Sequence, residues 1–101
     1  MGFVRAAGKA DIPLGKVCEV EVEGKMIGLA NASGKICAFN NICAHQGGPL
    51  GEGDLVGQVL ICPWHSWEYD VTTGKLVGNP EVGVETYAVE VRGEDVYVDV
   101  G

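Results

Sequence analysis

Cys43-Ala-His45 and, sixteen residues further on, Cys62-Pro-Trp-His65 are the two segments that carry the chemistry of this 101-residue chain. Each places one thiol and one imidazole in a short stretch, and the sequence contains only these two histidines. Thiolates and imidazoles are the ligands that zinc and iron–sulfur centres prefer in proteins. Because both segments supply the same two donor types, we interpret the two cysteines and two histidines as the ligands of one metal centre.

The spacing within each pair lets both side chains reach one site. In an extended segment alternate side chains point the same way, so one intervening residue allows Cys43 and His45 to face the same side. The two residues between Cys62 and His65 include Pro63, whose fixed φ favours a turn. We therefore expect two loop tips that face each other across a small centre.

Glycines accumulate after the first pair, at positions 47, 48, 51 and 53. Glycine permits positive φ and a close approach of the backbone to a cofactor, so that main-chain N–H groups near Gly47 and Gly48 can point at sulfur atoms. Such donors favour the more negative, reduced state of a redox centre and help to set its potential.

The mixed pairs resemble the ligand set of Rieske [2Fe–2S] proteins, in which two histidines replace two cysteines on one iron. The resemblance covers nearly the whole chain in length and order of elements. It implies one Rieske-type [2Fe–2S] cluster, with Cys43 and Cys62 on the inner iron and His45 and His65 on the outer iron.

Within that family the chain is most similar to a Rieske-type ferredoxin of bacterial aromatic-ring-hydroxylating dioxygenase systems. The similarity implies a one-electron carrier between a flavin-dependent reductase and a terminal oxygenase, and not an enzyme with an organic substrate. An oxygenase subunit would need a further iron site with two histidines and a carboxylate. Both histidines of this chain are already assigned to the cluster.

The chain departs from the high-potential branch of the family at several positions around the ligands. That branch carries a disulfide between the two ligand loops, and its cysteines align with Gly48 and Trp64. Its serine that donates to a bridging sulfide aligns with Trp67, which has no hydroxyl. Its tyrosine that donates to a cysteine sulfur aligns with Tyr69. The resemblance therefore implies a reduction potential in the low to middle part of the Rieske range. The whole range spans roughly −150 to +300 mV.

Two alternatives stay open on the sequence. The same four residue types could hold a structural zinc ion, although zinc sites usually pair Cys with Cys and His with His. The chain could also be a Rieske-like small subunit of a larger oxidoreductase such as a nitrite reductase.

Short strands separated by turns dominate the pattern and predict an all-β fold: a small antiparallel β-sandwich or barrel. Alternation of Cys18, Val20 and Val22 with Glu19, Glu21 and Glu23 predicts a strand with one buried and one wet face. We expect one Rieske domain over residues 1–101, with an inserted cluster-binding subdomain over about 40–76. The other predicted strands are Met26–Ala30, Ile36–Asn40, Val59–Ile61, Trp67–Asp70, Thr86–Arg92 and Val96–Val100.

Composition and charge exclude several partners. The formal net charge of −7 disfavours nucleic acid, and there is no apolar run of the length that crosses a bilayer. The first residues lack the apolar core of a signal peptide, so a cytoplasmic protein is expected. Cys18 and Cys37 lie in predicted strands and are expected to be buried thiols, because disulfides are rare in a reducing cytoplasm.

Overall fold

The computed structural model describes residues 2–42, 48–64 and 66–100, and these residues form eleven strands. Every strand pair among them is antiparallel. Two three-residue 3₁₀ turns, Lys9–Asp11 and Leu50–Glu52, interrupt the strands. The strands are β1 Val4–Gly8, β2 Val17–Val22, β3 Lys25–Ala32, β4 Lys35–Asn40, β5 Asp54–Val56, β6 Val59–Ile61, β7 Glu68–Asp70, β8 Lys75–Leu76, β9 Asn79–Gly83, β10 Thr86–Arg92 and β11 Asp95–Asp99.

Six strands form one sheet in the order β1-β11-β10-β4-β3-β2. Its two edge strands, β1 and β2, contact each other, so the sheet closes into a nearly complete barrel. The predicted inward face of β2 is confirmed, because Cys18, Val20 and Val22 all pack on the barrel core. The all-β prediction is therefore confirmed for the described residues.

Glu23 and Gly24 form the tight turn between β2 and β3. Glu23 and Gly24 adopt φ values of 51° and 83°, the left-handed pair that a two-residue hairpin turn requires. Gly24 adopts this conformation without steric cost, whereas Glu23 adopts it at some cost, because its Cβ is crowded there. The turn fixes a register in which Val22 pairs with Lys25 and Val17 with Ala30.

The other five strands form a second sheet in the order β5-β6-β7-β8-β9. In sequence they come between β4 and β10, which are neighbours in the first sheet. In sequence, the first ligand segment comes between β4 and β5, and the second comes between β6 and β7. A cluster-binding subdomain with bounds near 40 and 76 stays a prediction.

Two clusters of buried apolar side chains form the core of the protein. Ile27, Leu29 and Val98 contribute to the cluster inside the barrel. Phe39 and Leu60 contribute to the second cluster, which joins the outer face of β3 and β4 to β6 and β7. Because β3 and β4 are buried on both faces, they read as continuous apolar runs, and the second cluster provides the rigid base for both ligand segments.

No helix in the described ranges has the length and hydropathy that crossing a lipid bilayer would require.

Candidate metal centre

Of the predicted site residues, Cys43, His45, Gly47 and His65 lie outside the described residues. Among the described residues, Cys62 is the predicted ligand. The structure also describes four predicted neighbours of the centre, which are Gly48, Trp64, Trp67 and Tyr69.

Cys62 follows β6 directly and is 1% exposed, in the cluster that joins the two sheets. Its sulfur accepts a hydrogen bond from the backbone N–H of Trp64, with an N···S distance of 3.4 Å. Its own N–H donates to the carbonyl of Trp67 at 2.7 Å, which closes the base of the second ligand loop. A buried sulfur at the end of a strand is a suitable position for a metal ligand.

Gly48 lies against this second loop. A Cβ built on Gly48 would be 3.1 Å from the Cys62 sulfur and 3.1 Å from Cβ of Trp64. A side chain at position 48 would therefore crowd both residues. The prediction that glycine brings backbone close to the cysteine sulfur is consistent with this geometry, and the approach needs no positive φ at Gly48.

The two tryptophans of the second loop have different environments. Trp64 is 49% exposed, whereas Trp67 is partly buried against the cluster that contains Cys62. The Trp64 ring is thus partly in water, whereas the Trp67 ring contributes to core packing. A groove of about 300 Å³ beside the loop is lined by Ser66, Trp67, Glu68, Leu76 and Val77.

Tyr69 is 1% exposed and lies in β7, in the same apolar cluster as Cys62. A buried tyrosine hydroxyl is normally hydrogen-bonded, since an unsatisfied one costs free energy. Its position on the strand that leaves the second ligand loop agrees with the predicted place beside the centre. The hydrogen bond to a cysteine sulfur stays a prediction.

The ends of the first ligand segment meet at Asn41, a residue that the sequence did not single out. The carbonyl of Asn41 accepts from the N–H of Leu50 at 2.8 Å, and its side-chain oxygen accepts from the N–H of Gly51 at 2.6 Å. Ile42 and Pro49 form a β-bridge just inside these bonds. The Asn41 amide N–H₂ donates to the carboxylate of Glu19 at 2.6 Å.

Sequence reasoning placed Glu19 on the wet face of β2, and this was wrong. Glu19 is half-buried, because Asn41 and the 3₁₀ turn that contains Gly51 cover it. One sequence gives no signal for this contact, since Glu19 and Asn41 are 22 positions apart and belong to segments that meet only in the folded sheet.

The remaining cysteines, Cys18 and Cys37, are both free. Cys37 is buried as expected, whereas Cys18 is only partly buried. They face different apolar clusters, which explains why no disulfide joins them. Burial raises the pKa of both thiols, and the carboxylates of Asp11 and Glu19 add to the effect at Cys18.

The described residues thus define a small all-β protein with a buried cysteine at the end of β6. The model of the Rieske [2Fe–2S] domain matches residues 2–88, which is most of the chain. The chain belongs to the Rieske [2Fe–2S] domain family and carries one Rieske-type [2Fe–2S] cluster.

The chain is 34% identical over 99 residues to the ferredoxin component of the naphthalene 1,2-dioxygenase system of Pseudomonas aeruginosa. The match covers 97% of this chain and 95% of that protein. The ferredoxin of carbazole 1,9a-dioxygenase from Nocardioides aromaticivorans IC177 superposes with a TM-score of 0.87 at 27% identity, over 97% of each chain.

A ferredoxin in complex with the oxygenase of carbazole 1,9a-dioxygenase has a TM-score of 0.85 at 28% identity. That match covers 95% of this chain and 91% of the solved one. These relatives are carriers of electrons within oxygenase systems, and the similarity places this chain among electron-transfer proteins rather than enzymes.

The described part of the site fits such a cluster. A cluster cysteine must be a thiolate, and backbone N–H donors stabilise the charge on its sulfur. Cys62 has a sulfur shielded from water and an N–H donor at 3.4 Å. Gly48 leaves space beside that sulfur that a side chain would fill.

Proposed function

We propose that this chain is a Rieske ferredoxin that carries one electron at a time from a flavin-dependent reductase to a terminal oxygenase. The observation that carries the proposal is full-length similarity to dioxygenase ferredoxin components, with 97% of this chain and 95% of the relative aligned. The similarity to a ferredoxin solved in complex with its oxygenase supports the same kind of partner. When bound, the cluster supplies a site that accepts and releases a single electron.

Cys43 and Cys62 are the proposed ligands of the inner iron, and His45 and His65 those of the outer iron. Burial of Cys62 between the sheets supports a sulfur end that faces the protein interior. Histidine side chains then form the outer end, through which the electron leaves. The positions of Cys43, His45 and His65 in the sequence, between β4 and β5 and between β6 and β7, support this assignment.

The partner surface is proposed to include the exposed ring of Trp64 and the groove lined by Trp67 and Glu68. Trp64 is a large apolar side chain that is half in water, and such side chains are common at the centre of protein interfaces. The net charge of −7 favours a partner with a basic surface. The same charge disfavours nucleic acid as a partner.

The proposed compartment is the cytoplasm. Cys18 and Cys37 are free thiols, and free thiols are the usual state of cysteine in a reducing compartment.

Low-temperature EPR of the dithionite-reduced protein tests the proposed cofactor. We expect a Rieske signal, whose average g lies below that of an all-cysteine [2Fe–2S] cluster, and about two irons per chain. A colourless protein that contains zinc would contradict the proposal. A stable complex with a large catalytic subunit would instead favour the role of an enzyme subunit.

Two cysteine variants test the ligand assignment. Cys62→Ala is expected to abolish the visible spectrum, because it removes a ligand sulfur. Cys37→Ala is the matched control, since Cys37 is a buried cysteine of the same apolar cluster as Cys62. We expect Cys37→Ala to keep the cluster. Loss of the spectrum in both variants, or in neither, would contradict the assignment.

A further inference from the structure

The first ligand segment is closed at its base by one buried side chain. Asn41 is 4% exposed and stands two positions before Cys43. Its backbone carbonyl and its side-chain oxygen accept from two successive N–H groups on the far side of the segment, those of Leu50 and Gly51. Hydrogen bonds to Asn41 therefore hold together the two ends of the segment between Asn41 and Leu50, which has eight residues.

The orientation of the Asn41 amide depends on Glu19. An amide can accept at its oxygen and donate at its nitrogen, and here the oxygen faces Gly51 while the nitrogen faces the Glu19 carboxylate at 2.6 Å. A hydrogen bond to a charged acceptor is stronger than one between neutral groups. Glu19 thus holds the amide in the orientation that keeps its oxygen on the loop.

There is no space for a side chain where the loop meets this pair. A Cβ built on Gly51 would be 2.7 Å from the Asn41 side-chain oxygen and would also overlap the Glu19 side chain. Gly51 is needed here for close approach, as its N–H has to reach a buried amide. Glu19, Asn41 and Gly51 form one contact unit, which we call the loop clamp.

The loop clamp is connected to the second ligand segment. A Cβ on Gly53, two residues beyond Gly51, would overlap the carbonyl of Ile61, which immediately precedes Cys62. The 3₁₀ turn Leu50–Glu52 therefore connects Gly51 of the clamp to Gly53, which lies against the last residue of β6. A displacement of Asn41 would change how the two ligand segments are placed relative to each other.

We propose that Asn41, oriented by Glu19, is a positioning residue that sets the geometry of the first ligand segment relative to Cys62. The inference rests on the proposed ligand assignment, since the clamp acts on the cluster only if Cys43 and His45 bind it. In this proposal Glu19 acts on the ligand segment indirectly, through its hydrogen bond to the Asn41 amide.

Asn41→Asp is the decisive variant. It keeps an acceptor for the Gly51 N–H but removes the donor to Glu19, so two carboxylates face each other across the clamp. We expect the half-life of the visible cluster absorbance to fall about tenfold, which is within the range for loss of a buried hydrogen bond to a charged group. We also expect the EPR signal of the remaining clusters to broaden, since the ligand geometry becomes less uniform.

Glu19→Gln supplies the rescue. Combined with Asn41→Asp, the introduced amide can donate to the new carboxylate, and the net charge returns to that of the parent protein. We expect the double variant to recover a half-life within about threefold of the parent and a narrow EPR signal, because the clamp bond is restored. Recovery in the double variant supports the inference even if Asn41→Asp alone yields no holoprotein.

Asn40→Asp combined with Glu21→Gln is the matched control. It makes the same two charge changes one and two positions away, and Glu21 is exposed. The Asn40 side-chain oxygen accepts from the N–H of Ile42, an acceptor role that aspartate keeps. We expect both control changes to leave the half-life and EPR signal as in the parent.

The inference is overturned if Asn41→Asp loses the cluster no faster than Asn40→Asp, or if adding Glu19→Gln restores nothing. A parent protein without a Rieske EPR signal would refute the proposed function itself. The parent spectrum and the comparison of variants therefore separate the two failures.

Discussion

The hydroxyl of Tyr69 is a polar group held in an apolar cluster, beside the strand end that carries Cys62. If it donates to a cluster cysteine, it stabilises the reduced state, which has one more negative charge. Its phenyl ring would pack in the same way without the hydroxyl. The role of the hydroxyl can therefore be separated from that of the ring.

Tyr69→Phe is expected to lower the reduction potential. A donor that contributes about 1–2 kcal/mol more to the reduced state corresponds to roughly 40–90 mV for a one-electron couple. Protein-film voltammetry measures the shift. Tyr87→Phe is the control, because the Tyr87 hydroxyl donates to the Glu85 carboxylate at 3.3 Å and the residue packs on the barrel core, not in the cluster that contains Cys62. An unchanged potential in Tyr69→Phe would exclude the hydrogen bond.

At the residue scale, the sequence indicates candidate ligands but not the contacts around them. Cys62 and His65 are candidate ligands by residue type and spacing, which are local features, and their binding to a metal stays a prediction. Asn41 and Glu19 could not, since their contact joins β2 to the end of β4. A single sequence does not show whether an asparagine side chain is buried or exposed, because that depends on the sheet register.

At the scale of elements, strong β patterns were predicted well. β6 and β10 have the predicted bounds, Val59–Ile61 and Thr86–Arg92. β9 was not predicted, because Asn79 and Pro80 disfavour strands, and Pro is tolerated here at the edge of the sheet. β8 has only two residues, too few to show an alternation.

The two ligand loops are close enough to be joined covalently. An ideal Cβ on Gly48 lies 3.1 Å from Cβ of Trp64, slightly nearer than the roughly 3.5–4.5 Å of a disulfide. We expect Gly48→Cys combined with Trp64→Cys to form a disulfide after a small outward movement. The bond would restrict a loop of about 15 residues and stabilise the oxidised variant by about 3 kcal/mol.

Mass spectrometry detects the bond, and thermal unfolding of the same variant with and without a disulfide reductant measures its effect. We expect the oxidised form to unfold at least several degrees higher, at roughly 4–8 °C per kcal/mol for a domain of this size. Gly48→Cys alone controls for the lost glycine. Two free thiols under oxidising conditions would show that the loops are held further apart.

At the scale of the whole molecule, net charge and the position of the second sheet act together. Fourteen acidic and seven basic side chains give an acidic protein. The redox end adjoins the second sheet, where Glu68 is exposed next to Trp67. An acidic surface there would accelerate encounter with a basic partner and slow encounter with an acidic one.

Electron transfer to a partner with a basic docking surface is therefore expected to slow as salt is added. Raising the ionic strength from about 0.01 to 1 M shortens the Debye length from about 30 to 3 Å, so we expect the second-order rate to fall at least about tenfold. Stopped-flow spectroscopy at the cluster absorbance measures the rate. A neutral small-molecule oxidant is the control, because its encounter with the protein is not steered by charge.

Two glutamates locate the part of the surface that is responsible. Glu68→Gln removes a charge beside the second ligand loop, whereas Glu94→Gln removes one in the turn between β10 and β11. The β10–β11 turn lies at the opposite end of β10 from Thr86, which pairs with Phe39 near the start of the first ligand segment. At low salt we expect Glu68→Gln to slow transfer more than Glu94→Gln, with the difference vanishing at high salt. Equal effects of the two variants would mean that net charge, and not an acidic redox end, governs the encounter.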